Sequence, residues 1–107
     1  MMNKQDEPQA PQAFTLLEKL HAETAQVHWS ELERHFARGV VLKVSTSKDL
    51  VKMAIAMVED DAGQIADWMN SGDLSKVSVG DAKNWSERDS SLWAVVAAPW
   101  VLVQEMV

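Results

Sequence analysis

The sequence predicts an α+β domain, a small, mostly antiparallel sheet with about four helices packed on it in a single layered domain. Three observations carry that expectation. Helix-start signals occur twice in quick succession near the N-terminus. β-Branched apolar runs stand at Val40–Ser45 and in the closing stretch. The chain has 107 residues, 47% of them hydrophobic, which is enough for one core and one domain.

The opening "MMNKQDEPQAPQA" is polar and carries two prolines. Residues 1–13 are therefore expected to form a disordered tail, with the domain spanning 14–107. In "TLLEKLHAETAQV", Thr15 and Glu18 fit a capping box, and Leu16, Leu17, Leu20, Thr24 and Val27 share one helical face. In "SELERHFARG", Ser30 and Glu33 repeat the box, Leu32 and Phe36 mark the inward side, and Gly39 stands at a left-handed C-cap. Two boxes imply two helices meeting near Trp29. "GVVLKVS" then reads as a strand over Val40–Ser45.

"LVKMAIAMVEDD" has two readings. As a helix it presents a stripe of Val51, Ala54 and Val58, and its alanines and methionines favour that state. As a strand it alternates Val51, Met53, Ile55 and Met57 against Lys52, Ala54, Ala56 and Val58. Asp61 with Gln64 looks like a helix start, which requires a break before it. That break, after the short polar turn "TSKD", favours a strand over Leu50–Val58. "AGQIADWMNSG" is a helix ended by Gly72, "LSKVS" a brief strand, and "VGDAKNWSER" a helix capped near Ser78 with Ala82 and Trp85 inward.

The chain closes on "SLWAVVAAPWVLVQEMV", in which every residue from Leu92 to Val103 is apolar. A spanning helix needs about 20 apolar residues. This run is shorter, is interrupted by Pro99 and lacks a flanking positive cluster, so no membrane span is expected. It reads as a strand apolar on both faces, with Pro99 at an edge, bulge or corner and "WVLVQE" continuing beyond it. A domain this small covers one sheet face easily and two with difficulty. Surplus apolar surface on the last strand would then meet a partner.

The net charge is −6 and there are no cysteines. Absence of cysteine removes disulfides, thiolate metal sites and cysteine nucleophiles, and fits a reducing cytoplasm. The acidic balance argues against a nucleic-acid partner, since Arg34, Arg38 and Lys43 form only a small basic group. Phosphate-loop, nucleophile-elbow and zincin patterns are missing, so no catalytic residue and no cofactor is assigned. His21, His28 and His35 are spaced by seven, about 10 Å along a helix, too far for one metal. Glu59, Asp60 and Asp61 are the weak metal candidates; adjacent side chains diverge, and the same carboxylates suit a helix cap. Of five tryptophans, Trp68 and Trp85 fall on inward helix faces. Trp93 and Trp100, with Pro99 and Leu102, are the interface candidates.

The strings "HWSELERHFARGVV", "DLVKMAIAMVEDD", "ADWMNSGDLSKV" and "LWAVVAAPWVLVQE" resemble a bacterial family catalogued as Domain of Unknown Function 2288, over about Leu16 to Glu105. "FARG" and "PWVLVQ" are the most specific pieces. The resemblance implies a small cytoplasmic bacterial protein and strand-like alternation over "LVKMAIAMV", and it supplies no activity. Two functions remain. One is a non-enzymatic interaction or regulatory protein, a homo-oligomer or binder of another protein, self-associating through its apolar C-terminal strand. The other is a small metal-assisted hydrolase or ligand binder built on Glu59, Asp60 and Asp61.

Overall fold

The computed structural model describes residues 15–106; the predicted tail, residues 1–13, lies outside them. The first capping box forms as expected. Thr15 Oγ1 accepts from the Glu18 N–H at 3.1 Å, and Glu18 Oε1 accepts from the Thr15 N–H at 2.9 Å. Helix α1 (Leu16–Glu23) follows. It is shorter than the periodicity suggested. Thr24 turns extended, and its hydroxyl donates to the Leu20 carbonyl at 2.7 Å. Residues beyond it form strand β1 (Ala25–His28), so Val27 belongs to a sheet and not to a helical face. Helix α2 (Trp29–Ala37) also starts earlier than the Ser30–Glu33 box implied. Its first turn is closed by Glu31, which accepts from the His28 N–H at 3.1 Å. Gly39 (φ +74°) ends it: the Gly39 N–H donates to Phe36 and the Val40 N–H to His35, the pairing of a Schellman turn.

Strand β2 (Val41–Val44) is the expected one. The next segment corrects the sequence reading: Leu50–Val58 is helix α3, not a strand. Asp49 caps it by accepting from the N–H groups of Val51 and Lys52, at 3.0 and 3.2 Å. The break before Asp61 is real but needs only two residues. Asp60 adopts a left-handed conformation (φ +56°), with its N–H on Met57 and the Asp61 N–H on Ala56. This is a second Schellman turn, and Asp61 immediately caps helix α4 (Ala62–Ser71). Gly72 ends α4 as read. Strand β3 (Leu74–Lys76), helix α5 (Val79–Arg88, capped by Ser78) and strands β4 (Ser91–Ala97) and β5 (Trp100–Glu105) complete the described chain.

The sheet order is β1-β4-β5-β2-β3. Three of its four pairings are antiparallel; β2 and β5 are parallel. These senses make β1 and β2 run the same way, with α2 crossing between them and the β4–β5 hairpin filling the gap. The last segment of sequence is thus the middle of the sheet. One face carries α1, α3 and α4 over Leu42, Val44, Val95, Ala97 and Leu102. The other carries α2 and α5 over Val41, Leu92, Ala94, Val101 and Val103. There Trp29 and Trp85, both buried, meet at 5.2 Å between ring centroids. Helices on both faces explain why the closing run is apolar on both sides. They also overturn the expectation that one chain would struggle to cover both. No helix among the described residues is long and apolar enough to cross a membrane.

Candidate functional site: a groove beside an open strand edge

The hairpin partners are unequal. β5 is paired with β4 along its length and with β2 from Val101 to Gln104. β4 is paired with β5 from Leu92 to Ala97, but β1 reaches only from Ser91 to Ala94. Among the described residues no strand lies beside Val95, Val96 and Ala97 on the β1 side. These three are uncharged, extended and apolar. Natural edges are normally blunted by charge, proline or cover. Here the nearby devices are Glu23 at the end of α1 and Pro99 in the turn between β4 and β5.

The open segment is flanked by a depression on each face of the sheet. The larger, about 480 Å³, lies beneath α2, with Ala94, Val96, Val101 and Pro99 as its floor and Glu31, His35 and Arg38 on the helix wall. The smaller, about 270 Å³, lies between α1, the end of α3 and the hairpin turn; Leu16, Leu20, Val58, Val96 and Ala98 line it, with Lys19 and Glu23 of α1 at its wall. Glu23 and Val96 border both. Val96 is 56% exposed, although its neighbours Val95 and Ala97 are buried. The helix wall follows from α2's spacing: residues 31, 35 and 38 fall on successive turns of one face. His35 is partly buried and its Nδ1 has no hydrogen-bond partner among the described residues. Arg38 makes no salt bridge among them.

The residues singled out from sequence are placed as follows. Leu102 is fully buried in the core, so its surface is satisfied within the chain and it faces no partner. Trp100 is partly buried against the same core. Pro99 lies in the hairpin turn and on the floor of the larger groove. Trp93 is 37% exposed, on the face of β4 opposite that groove. Glu59 is the C-cap of α3, Asp60 the left-handed residue after it, and Asp61 the N-cap of α4, accepting from the Gln64 N–H at 3.2 Å. At this junction the Asp61 carboxylate caps α4, while Glu59 and Asp60 close α3 through their backbone N–H groups. Among the described residues no group of three or more metal-ligating side chains is placed to hold an ion. Val96 was missed because it sits inside an unbroken apolar run. Its exposure depends on where β1 stops, which only the pairing register reveals.

Two aspartates elsewhere are held below the usual carboxylate range. The hydroxyls of Ser71 and Ser45, at 2.8 and 3.0 Å, and then the Lys48 ammonium stabilise ionised Asp73 against a small opposing effect of burial. At Asp81 burial opposes ionisation, and the Lys43 ammonium at 3.1 Å together with the Ser78 N–H outweighs it.

A family model described as "Protein of unknown function (DUF2288)" matches residues 15–105. Among solved structures, the chain is similar to the NMR solution structure of PA1075 from Pseudomonas aeruginosa. They share 43% sequence identity and a TM-score of 0.77, over 100% of this chain and 94% of the other. No curated protein matches it.

Proposed function

The chain belongs to the DUF2288 family, and on that premise we propose that it is a non-enzymatic interaction protein that self-associates through the open half of β4. The observation that carries this reading is the end of β1 pairing at Ala94, which leaves no described strand beside Val95–Ala97 and leaves Val96 exposed between two depressions with apolar floors. An added strand gains main-chain hydrogen bonds along such an edge, and its alternate side chains enter the depressions on either face. A second copy is the occupant that fits. A two-fold interface requires a patch complementary to itself. An extended, uncharged, apolar segment is both template and guest when two copies meet antiparallel near Val96. In that arrangement each Val96 lies over the partner's groove beneath α2.

Light scattering across a dilution series tests this. The expected mass is twice 11.9 kDa for the parent chain and 11.9 kDa for Val96→Lys. Val96 is more than half exposed, so the variant should keep its circular dichroism and change stability by no more than about 0.5 kcal/mol beyond the loss of association. A parent chain that is monomeric at every concentration, or a Val96→Lys dimer of undiminished strength, refutes the reading.

A further inference from the structure

Two opposite charges border the larger groove. Arg38 closes α2 and Glu23 is the last residue of α1; both line the groove together with Val96, and both are exposed. Neither makes a salt bridge among the described residues.

The pairing register sets both near the level of Val96. The Val101 N–H donates to the Val40 carbonyl at 2.9 Å, and Val101 pairs with Val96 across the hairpin, so the end of α2 reaches that rung of the sheet. Ala25 pairs with Ala94 in the antiparallel sense, so stepping back two residues to Glu23 leads toward Val96. They stand on opposite sides of the β4 edge. α2 passes over the β4–β5 hairpin, inside the edge. Glu23 leads into β1, whose lane lies about 4.8 Å outside it.

The other charged groups of the two grooves are placed differently. Glu31 lies two turns back along α2, where its carboxylate accepts from the His28 N–H. His35 is one turn before Arg38 on the same wall. Lys19, one turn before Glu23, lines only the groove on the opposite face of the sheet and makes no salt bridge among the described residues.

A charge beside an open edge ordinarily repels an incoming strand. A second copy meeting β4 antiparallel near Val96 brings an answer to that charge. The two-fold axis then passes beside Val96, between the helix wall and the lane of β1. Rotation by 180° about it moves the partner's Arg38 to the outer side, where Glu23 stands, and the partner's Glu23 to the side of Arg38. We infer that Glu23 of each copy pairs with Arg38 of the other, so that two ion pairs flank the axis and make the edge selective for a second copy of this chain. The pairing rests on the self-association proposed above and adds the side chains that set its orientation. A strand without a cation at that place meets Glu23 unanswered.

The test is charge reversal, read by sedimentation equilibrium at low ionic strength, about 0.05 M, where screening is weak. Glu23→Lys and Arg38→Glu should each weaken dimerisation at least about ten-fold, since repulsion replaces attraction and the two-fold repeats the contact. Circular dichroism should stay unchanged, both positions being exposed. An equimolar mixture of the two variants should recover the dimer affinity of the parent chain, because every contact in the mixed dimer again joins opposite charges. A reversal at either position that leaves dimerisation unchanged overturns the inference and leaves self-association standing. So does a mixture that stays monomeric while the double variant Glu23→Lys/Arg38→Glu dimerises, which would place the pair within one chain. A parent chain that is monomeric at every concentration removes the two-fold contact and the ion pairs together.

Discussion

Leu102→Ala separates a central closing strand from a partner-facing one. Leu102 lies on β5 between Val95 of β4 and Leu42 of β2, and it has no exposed surface. Truncation removes three carbons, a transfer loss of roughly 2.4 kcal/mol at about 0.8 kcal/mol per methylene. A cavity cost adds to this, because paired strands on both sides and α3 above leave little freedom to collapse. The expected destabilisation is about 3–4 kcal/mol, inside the range of roughly 2–5 kcal/mol for buried leucine. For a domain of this size that corresponds to a fall in Tm of roughly 12–30 °C. Urea unfolding followed by tryptophan fluorescence, at one fixed protein concentration, is the assay. The fixed concentration matters because association itself stabilises. The midpoint should fall with the slope unchanged. A loss below about 1 kcal/mol would mean that Leu102 is not enclosed. A fall in solution mass at unchanged stability would return the strand to the surface and refute the placement of β5 at the centre of the sheet.

Three further outcomes are expected. Asp73 has a lowered native pKa, so its ionised form contributes stability above the unfolded value of about 3.9 and loses it as pH falls through the native value. Asp73→Asn should therefore melt below the parent chain at pH 7, with the gap closing below about pH 4; a gap independent of pH would contradict the bonding to Ser71, Ser45 and Lys48. Asp49→Ala removes the acceptor for two N–H groups of α3 and should cost about 1 kcal/mol in urea unfolding, whereas Asp60→Ala tests backbone strain at φ +56° and Asp60→Gly should match or exceed the parent chain. Saturating Mg²⁺, Mn²⁺ or Ca²⁺ should leave Tm unchanged, since Asp61 is committed to capping α4 and the carboxylates of Glu59, Asp60 and Asp61 do not converge on an ion site among the described residues; a rise in Tm with any of them would reinstate a metal site at that junction.

Local chemistry was legible where it was self-contained. Thr15 with Glu18, Gly39, Asp61 with Gln64, Gly72 and Ser78 each mark a helix end by a bond between near neighbours, and each does so in the structure. The failure at Leu50–Val58 was one of spacing. The break before Asp61 is present, but a Schellman turn of two residues makes it and no strand is needed. Asp60 in a left-handed conformation was the signal available, because aspartate tolerates that region better than most residues. The short edge strand β1 was hidden for another reason. "AQVH" has little strand character of its own, and it is held by pairing with residues 91–94 far along the chain. Pairing of that kind leaves no trace in a local window.

The same non-local pairing decides which part of the apolar closing run is left open. Read alone, Leu92 to Val103 offers no reason to prefer one residue over another as a contact. Helices on both faces remove Leu102, Val103 and Val95 from consideration, and β5 removes one edge of β4. Only the other edge remains, and β1 covers it for four residues. Exposure of Val96 is thus a consequence of strand length: β1 begins at Ala25 because Thr24 still belongs to the end of α1. The reach of α1 therefore sets the length of open edge. The side-chain bond from Thr24 to the Leu20 carbonyl, which fixes that end, helps define the proposed interface without touching it.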